Sequence, residues 1–285
     1  MFYTIENEFL TSQINSMGAE LHSIKSKKSG FEYLWQGNPD IWYGQSPILF
    51  PIIGRLLDDK YRYNGKEYTM QKHGFARKRE FDLVSCEGNK AVFSLKSCPE
   101  TLEMYPFEFE LIVTFVLDGY AVKVSHEVVN KNDKDMYFSL GAHPGFNCEI
   151  GDYLEFDENE TLSSERIDTD SYRIPEVFPV LDNERKITIT KDIFENDALI
   201  LSNVKSEKVT LGSEKHNRKV VFTLGFSPYL GIWAKPGAPY VCIEPWFGVN
   251  DNRDKKDDIS LKQGIVKLPA GENFMQIWAA EVIDE

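Results

Sequence analysis

The sequence predicts an all-β protein, a large antiparallel β-sandwich with few short helices. Three observations favour this fold: apolar residues recur with period two, Asn-Gly and Asp-Gly pairs separate the alternating runs, and stretches with helical period are rare. Stacked antiparallel sheets with one solvated face produce this alternation. We expect a single domain over residues 1–285, because no low-complexity linker or internal repeat divides the chain.

The clearest predicted elements are two β-hairpins. Apolar side chains alternate with others over Phe107–Leu117 and again over Val122–Val128, and Asp118-Gly119 follows the first run. Such a pair of runs predicts a hairpin, because both turn positions favour positive φ. Asn64-Gly65 predicts a second hairpin in the same way. Further short strands are predicted at Ala91–Leu95, Tyr137–Ala142, Lys186–Thr190, Val209–Leu211, Val220–Phe226, Tyr240–Ile243 and Phe274–Val282.

The other local signals are weaker. The best helical segment lies near Lys191–Asp197, and the charged runs Asp157–Glu160 and Asp251–Asp258 are typical of solvated loops. His126 alternates with valines, which predicts a half-buried strand residue with a hydrogen-bond partner. An antiparallel sheet leaves strand edges, so pairing of two copies into a homodimer through an exposed edge stays open.

The composition restricts the partners and the compartment. The chain has 32 Lys and Arg against 45 Asp and Glu, a formal net charge of −13, which argues against binding nucleic acid or an anionic membrane. The longest uncharged apolar stretch, Ile41–Gly54, is shorter than the ~20 residues that a transmembrane helix needs. The start, MFYTIENEF, does not resemble a signal peptide, and the four separated cysteines are typical of reduced thiols. We therefore expect a cytoplasmic protein.

At two predicted strand ends an ionisable residue directly precedes a proline: His143 in FSLGAHPGF and Glu244 in YVCIEPWFG. The residue before a proline is held extended, and proline cannot donate to a sheet, so each should be the last residue of its strand. Strand parity places both side chains on the more polar face. A histidine and a glutamate in one cleft supply a general acid and a general base. A purely structural role at two strand ends explains the same pattern on these residues alone.

Further polar residues lie beside tryptophans. His73 and Arg77 flank a glycine after a predicted hairpin, and Arg55 follows an apolar run with two prolines. Indole faces with nearby arginine, histidine and carboxylate groups suit a sugar, whose C–H face stacks and whose hydroxyls need polar partners. Ordinary core packing is the alternative for the tryptophans near Gly or Pro, which are Trp35, Trp42, Trp233 and Trp246.

Five segments together resemble, in order and spacing, the motifs of the aldose 1-epimerase (galactose mutarotase-like) family, and most closely its LacX-type branch. The likeness runs from about residue 10 to residue 280, and the segments are FPIIGR, KHGFAR, GAHPGF, FENDALIL and CIEPWFG. It implies one large β-sandwich whose cleft binds a sugar, with a histidine acid at His143 and a glutamate base at Glu244. The positions expected to bind the substrate are Arg55, His73, Arg77, Asp197 and Trp246.

The resemblance implies an isomerase that interconverts the α and β anomers of an aldohexose without a metal or cofactor. The glutamate takes the proton of the anomeric hydroxyl while the histidine protonates the ring oxygen, which opens the ring to an aldehyde. The adjacent bond then rotates, and the ring closes on the opposite face with the two roles exchanged. The galactose mutarotase branch has an Asn-His-Thr-Tyr-type segment where this chain has Gly-Ala-His-Pro-Gly, so the identity of the aldose stays open.

Two other functions stay open. One is a carbohydrate-binding protein without turnover, and the other is a mutarotase of a hexose 6-phosphate, with the phosphate held by Arg55, Arg77, Lys78 and Arg79. A glycoside hydrolase is disfavoured because it needs two facing carboxylates, of which only Glu244 lies in a suitable motif. A metal site through His73, His143 and Glu244 is disfavoured because no metal-ligand motif supports it.

Overall fold

Antiparallel β-sheet dominates the computed structural model, which describes residues 1–254 and 258–284 and is 54% strand and 5% helix. This confirms the predicted all-β class. In chain order the strands are β1 (Phe2–Glu6), β2 (Leu10–Asn15), β3 (Glu20–Ser26), β4 (Ile48–Leu49), β5 (Lys60–Tyr63), β6 (Lys66–Thr69), β7 (Asp82–Glu87), β8 (Lys90–Lys96), β9 (Phe109–Asp118), β10 (Ala121–Asn130), β11 (Met136–Phe138), β12 (Leu140–Ala142), β13 (Gly145–Asn147), β14 (Tyr153–Ile167), β15 (Arg173–Thr188), β16 (Leu199–Ser202), β17 (Lys208–Gly212), β18 (Lys219–Thr223), β19 (Tyr229–Trp233), β20 (Tyr240–Phe247), β21 (Val266–Leu268) and β22 (Asn273–Ile283).

Helical structure is confined to short segments. Across the described residues there is one α-helix, α1 (Pro99–Met104), with Pro99 in its first turn, where a missing N–H costs no intrahelical bond. Three single 3₁₀ turns occur at Leu57–Asp59, Ala76–Lys78 and Ile259–Leu261. In the described ranges no helix has the length and apolar character needed to cross a membrane.

The main sheet contains β12 and β20, the strands of the candidate active site described below, near one end. Its strands follow the order β4-β12-β20-β19-β16-β14-β17-β18-β22-β10-β9-β8-β7, with β13 paired to β20 and β15 paired to β14. A separate sheet has the order β1-β2-β3. Buried apolar side chains form a continuous cluster from Ile5 on β1 to Val282 on β22, so both sheets share one core. At the edge strand β7, Leu83 and Val84 are exposed, and pairing of two copies through such an edge stays a prediction.

Both predicted hairpins form, one of them with a shifted turn. Asn64-Gly65 joins β5 to β6 with φ of 49° and 76°, as a two-residue turn of this type requires. Burial alternates residue by residue along β9 and β10, which confirms the period-two pattern. Their turn is Gly119-Tyr120 rather than the predicted Asp118-Gly119, because Asp118 pairs with Ala121 and remains part of the strand.

The helix predicted near Lys191–Asp197 is wrong. The segment forms successive turns whose backbone bonds join Glu195 to Asp192 and Asp197 to Phe194. Asp197 has a φ of 70°, and an α-helix needs a negative φ at every residue. The chain therefore leaves the helical conformation at Asp197 and enters β16.

Both predicted acidic loops contain a buried carboxylate, which corrects the sequence interpretation. Glu160 lies within β14, is fully buried, and accepts the N–H groups of Lys205 and Ser206 at 2.9 and 2.8 Å. Asp251 is buried as well, with Lys262 Nζ 2.7 Å from its Oδ1. Residues 255–257 of the second run lie outside the described residues. The local sequence predicted exposed loops at both clusters because the groups that stabilise the buried carboxylates lie elsewhere in the chain.

The burial of His126 predicts a measurable pH dependence of the free energy of unfolding. Its side chain is 2% exposed, more buried than expected, and its Nδ1 lies 3.4 Å from Oε1 of Gln276. Burial lowers the pKa of His126 from 6.5 to about 4. The unfolded chain therefore binds this proton more readily, and the free energy of unfolding falls as the pH drops from 6.5 towards 4.

We expect His126 to contribute a loss of about 3 kcal/mol over this interval, at ~1.4 kcal/mol per pKa unit. Urea unfolding of the wild type and of His126→Gln at several pH values measures it. Comparing the two slopes cancels the other buried groups, because they are present in both proteins. Parallel stability curves for the two proteins would contradict the prediction.

Candidate active site

The structure brings His143 and Glu244 together in one cleft. His143 directly follows β12, and Glu244 lies on β20, which pairs with β12 and β13. The imidazole Nε2 is 3.3 Å from the carboxylate Oε2. The expectation that Glu244 ends its strand is wrong: β20 continues to Phe247, and Pro245 and Trp246 pair with Leu230 and Tyr229 of β19. Proline lacks only the N–H donor, so the pairing with β19 continues past it.

The cleft has a volume of about 610 Å³ and lies over the ends of β12 and β20. Six of the seven site residues predicted from the sequence line it: His73, Arg77, His143, Asp197, Glu244 and Trp246. Residues distant in the sequence also contribute, and sequence reasoning missed Lys72, Asp168 and Asn250. Lys72 is the first residue of the KHGFAR segment, so its position in that motif could have indicated that it lines the cleft.

Aromatic side chains enclose His143. The Trp42 indole stacks on the His143 ring with centroids 5.0 Å apart and an angle of 30°. Trp233 packs edge-on against the same ring at 5.6 Å. Both tryptophans also line the cleft. The wall therefore combines rings that can stack on a sugar with the only two side chains proposed to transfer protons there.

Trp246 contacts the carboxylate directly. It is 3% exposed, and its Nε1 donates to Glu244 Oε2 at 3.2 Å. The indole lies between two glycines: a Cβ on Gly141 of β12 would lie 2.8 Å from it, and one on Gly231 of β19 would lie 2.6 Å away. Both strands flank β20, so the missing side chains make room for the ring. Trp246 thus orients Glu244 while it lines the cleft.

Burial controls the protonation of His143 and Glu244. Desolvation raises the pKa of Glu244 well above its usual value and lowers the pKa of His143, because each charged form loses its hydration. The Trp246 N–H opposes the first shift by stabilising the carboxylate. The contacting pair therefore holds one proton and no net charge. Among the described residues, Glu244 Oε1 has no hydrogen-bond partner.

His73 is held as a neutral donor. Its Nδ1 accepts the Gly54 N–H at 3.1 Å, while its own backbone N–H donates to the Gly54 carbonyl at 2.8 Å. Burial and the neighbouring His143 lower the pKa of His73 well below 6.5. Because Nδ1 accepts in the neutral ring, Nε2 carries the proton. The ring centroids of His73 and His143 are 6.0 Å apart, so the two imidazoles are neighbours in the cleft wall.

Arg77 and Lys72 are the cations of the cleft wall. Arg77 Nη2 donates to the Lys72 carbonyl at 2.9 Å, and Lys72 Nζ donates to Ser171 Oγ at 3.1 Å. Arg77 is partly buried, and desolvation lowers its pKa. Across the cleft, Asp197 accepts the N–H of Ala198 with its Oδ1 at 2.8 Å. Cations and carboxylates thus face the same space.

The structure does not bring Arg55 into the cleft. Its Nε and Nη2 donate to the two carboxylate oxygens of Asp59, each at 2.9 Å. Its Nη1 donates to the Asp170 carbonyl at 3.0 Å, and its guanidinium lies over the Tyr172 ring. Asp59 has a φ of 56°, which turns the chain back towards Arg55. Arg55 therefore supports the loop between β14 and β15 that borders the cleft.

Comparisons with known proteins identify the family. The family model described as aldose 1-epimerase matches residues 1–264. This chain belongs to the aldose 1-epimerase family. Its similarity to the plasmid-encoded protein LacX of Lactococcus lactis subsp. lactis extends over 287 aligned residues at 34% identity and covers 94% of this chain and 95% of LacX. The predicted family and its LacX-type branch are confirmed, and so is the predicted class of isomerase acting on carbohydrates.

Solved structures of this aldose 1-epimerase family match the fold. A galactose mutarotase related enzyme from Lactobacillus acidophilus superposes with a TM-score of 0.95 at 34% identity, covering 100% of this chain and 98% of the other. A galactose mutarotase-like protein from Lactobacillus casei ATCC 334 gives a TM-score of 0.94 at 32% identity, covering 99% and 100% of the two chains. The predicted galactose mutarotase-like sandwich is therefore confirmed.

Within this family member, one trio has the spacing of metal ligands. Candidate ligand atoms of His143, Cys242 and Glu244 lie within 4.8 Å of one another among the described residues. Burial raises the pKa of the Cys242 thiol well above its usual value. A protonated thiol is a poor ligand, since thiolate is the form that binds metals. We assign no metal role to this trio.

The space that the two glycines leave for Trp246 predicts a kinetic effect of Gly231→Ala. The added methyl group would displace the indole and remove its hydrogen bond to Glu244. We expect kcat to fall by about tenfold or more, because a hydrogen bond to a charged group contributes ~1.5–3 kcal/mol. The KM should change less, since Trp246 acts through the carboxylate.

Gly212→Ala is the matched control, because its Cβ would crowd Tyr153 at 2.9 Å outside the cleft. Steady-state kinetics of both variants check the prediction. Equal losses in the two would mean that crowding of a glycine, rather than displacement of Trp246, lowers the rate.

Proposed function

We propose that the protein interconverts the α and β anomers of a neutral aldohexose, with His143 as general acid and Glu244 as general base. The observation that carries this proposal is the 3.3 Å contact between His143 Nε2 and Glu244 Oε2 in the cleft. The anomeric hydroxyl and the ring oxygen of a pyranose are bonded to one carbon. An acid and a base that serve both oxygens must therefore lie side by side, as these do.

The reaction begins when the ionised Glu244 removes the proton of the anomeric hydroxyl and His143 delivers its proton to the ring oxygen. The bond between the anomeric carbon and the ring oxygen breaks, which leaves an open-chain aldehyde. Rotation about the adjacent carbon–carbon bond presents the other face of the carbonyl. On closure, His143 takes a proton back from the hydroxyl and Glu244 returns one to the carbonyl oxygen, so the protons balance.

The surrounding residues bind and orient the sugar in this proposal. The neutral His73 can donate from Nε2 to a sugar oxygen, and Arg77 can stabilise negative charge that develops on the ring oxygen. Asp197 is suited to accept a sugar hydroxyl. Trp42 and Trp233 offer ring faces and edges to the apolar side of the sugar.

The charges of the cleft favour a neutral sugar over a hexose phosphate. Of the four cations considered for a phosphate, only Arg77 lines the cleft; Arg55 is paired with Asp59, Lys78 donates to Gln71, and Arg79 is not among the lining residues. The phosphate group of a hexose phosphate would be repelled by an acidic cleft wall, since like charges disfavour each other. The carboxylates that line the cleft are Asp168, Glu195, Asp197 and Glu244, against Lys72 and Arg77.

The test follows the optical rotation of freshly dissolved α-glucose and α-galactose, and the anomer-resolved NMR spectrum of glucose 6-phosphate, with and without protein. We expect faster equilibration of a free aldose and a lower kcat/KM for the phosphate. Binding of an aldose without acceleration would instead identify a carbohydrate-binding protein. Faster turnover of the phosphate than of both free sugars would overturn the choice of a neutral substrate.

We also propose a cytoplasmic location. All four cysteines lie within the described ranges and are free thiols, with Cys148 and Cys242 buried. Reduced thiols are typical of cytoplasmic proteins, in which disulfides rarely persist. Fractionation of the source cells with an antibody against the chain checks the location.

A further inference from the structure

A second cavity lies on the same pair of strands as the catalytic residues, at their opposite end. It has a volume of about 300 Å³ and shares no lining residue with the cleft. Its lining includes Trp35, Cys148, Asp152 and Pro239. Cys148 directly follows β13 and Pro239 directly precedes β20, whose pairing joins Asn147 to Tyr240 and Gly145 to Cys242. Thus β13 leads from His143 to this cavity, and β20 leads from this cavity to Glu244.

A buried carboxylate in this cavity has a free acceptor. Asp152 is 3% exposed, and its Oδ2 accepts the Glu149 N–H at 2.7 Å. Its Oδ1 is buried and has no hydrogen-bond partner among residues 1–254 and 258–284. Buried polar atoms without partners are rare in folded proteins, because they lose their hydration without compensation. A donor group of a ligand would satisfy Asp152.

A free donor and an unpartnered ring nitrogen lie in the same lining. Arg218 Nε is buried without a hydrogen-bond partner in the described part of the chain, and the same holds for Nδ1 of His216, which donates or accepts according to its tautomer. Arg218 packs its guanidinium over the Phe31 ring, 4.3 Å from the centroid, and no carboxylate of the described residues lies within 4.0 Å of it. The cavity therefore offers acceptors and donors together, as a ligand with several hydroxyl groups requires.

The remaining lining indicates a neutral ligand with an apolar face. Phe31, Tyr33 and Trp35 supply three aromatic side chains. Glu149 is paired with Lys215 at 2.7 Å, and the two lining carboxylates balance the lining Arg218 and Lys219. An anion would face Asp152, and a purely apolar ligand would leave the unpartnered polar atoms unsatisfied. A sugar ring has both a C–H face for aromatic contact and hydroxyls that donate and accept.

We infer that this second cavity binds a neutral monosaccharide, and that this binding does not require turnover at His143 and Glu244. A stack of rings connects the two places: Trp35 on Tyr240 at 4.8 Å, Tyr240 on Trp42 at 5.2 Å, and Trp42 on His143 at 5.0 Å. A sugar bound beside Trp35 therefore contacts the first ring of a stack that ends on the catalytic histidine. Occupancy of the cavity can change the position of His143 through these contacts.

The experiment uses the full chain with its five tryptophans replaced by 5-fluorotryptophan, titrated with D-glucose and D-galactose and followed by ¹⁹F NMR. The Trp35 resonance is assigned with Trp35→Phe, and calorimetry measures the number of sites. We expect a shift of the Trp35 resonance and two sites per chain. Asp152→Asn should abolish the Trp35 shift and leave one site, while the Trp246 resonance still responds.

The variants separate the cavity from the cleft. Asp152→Asn keeps a carbonyl oxygen for the Glu149 N–H, so the local fold is preserved. Arg218→Met, which keeps an apolar contact with Phe31, provides a second test in case the first is unstable. Asp197→Ala should weaken binding in the cleft and leave the Trp35 response intact, which distinguishes failure of this inference from failure of the proposed function.

Two results would overturn the inference. One is a single site per chain in the wild type that Asp197→Ala weakens and Asp152→Asn leaves intact. The other is a Trp35 shift that persists in Asp152→Asn and Arg218→Met but disappears in Asp197→Ala, because the shift would then be transmitted from the cleft through the ring stack.

Discussion

Glu244→Gln is expected to lower kcat for aldose mutarotation by about 10²–10⁴-fold, the usual contribution of a positioned acid or base. Glutamine has nearly the shape of glutamate, and its carbonyl oxygen can still accept the Trp246 N–H that Glu244 accepts at 3.2 Å. It cannot remove a proton from the anomeric hydroxyl. Sugar binding should largely survive, because most of the cleft is unchanged. Polarimetry measures kcat, and calorimetry measures the affinity.

Glu160→Gln is the matched control for this variant. Glu160 is also a fully buried glutamate, but it lies in β14 and accepts bonds from Lys205 and Ser206 outside the cleft. It can lower stability but should leave kcat unchanged. An unchanged kcat in Glu244→Gln would remove Glu244 from the role of base and leave His143 without its partner.

His143→Gln is expected to give a loss of the same order, about 10²–10⁴-fold in kcat, for a complementary reason. The glutamine amide can donate a hydrogen bond towards the ring oxygen but cannot transfer a proton to it. The aromatic enclosure by Trp42 and Trp233 packs a planar side chain of either kind, so we expect the fold to tolerate the change. His126→Gln, a buried histidine outside the cleft, is the control and should keep wild-type kcat.

The pH profile of the wild type tests the same pair. Burial raises the pKa of Glu244 and lowers that of His143, so gaining a second proton or losing the first is disfavoured. The reactive form, with the proton on His143, and the form with the proton on Glu244 contain the same number of protons. Their ratio is therefore independent of pH, and kcat/KM should stay level around neutrality and fall at both extremes. A rate that follows one titration near 6.5 would contradict a shared proton.

Much of the fold could be predicted because its signals are local. Each of β9 and β10 contains its whole period-two pattern, and Asn64-Gly65 adopts the positive φ values that its turn needs. These features depend on residues next to one another in the chain. Two of the failures depend on distant partners: Glu160 and Asp251 look solvated in the sequence, but backbone donors of Ser206 and the ammonium of Lys262 stabilise them in the interior.

Some features of the cleft were also predictable from the sequence, and others were not. The motifs indicated His143 and Glu244 as a pair, but Trp246 was expected to bind the sugar, and its hydrogen bond to the base was not predicted. That contact needs three adjacent strands and two glycines, Gly141 and Gly231, whose register no short motif contains. Arg55 was placed in the cleft by its motif, whereas its side chain pairs with Asp59 four residues later.

The sequence by itself determined the all-β class, the hairpins and the family, and it indicated His143 and Glu244 as candidates for proton transfer, because periodicity, turn chemistry and motif order are properties of short segments. Only the tertiary structure decided which charges line the cleft, how Glu244 is oriented, and that a second cavity lies at the other end of β13 and β20. These depend on the register and packing of strands that are far apart in the chain, and on the burial that this packing produces.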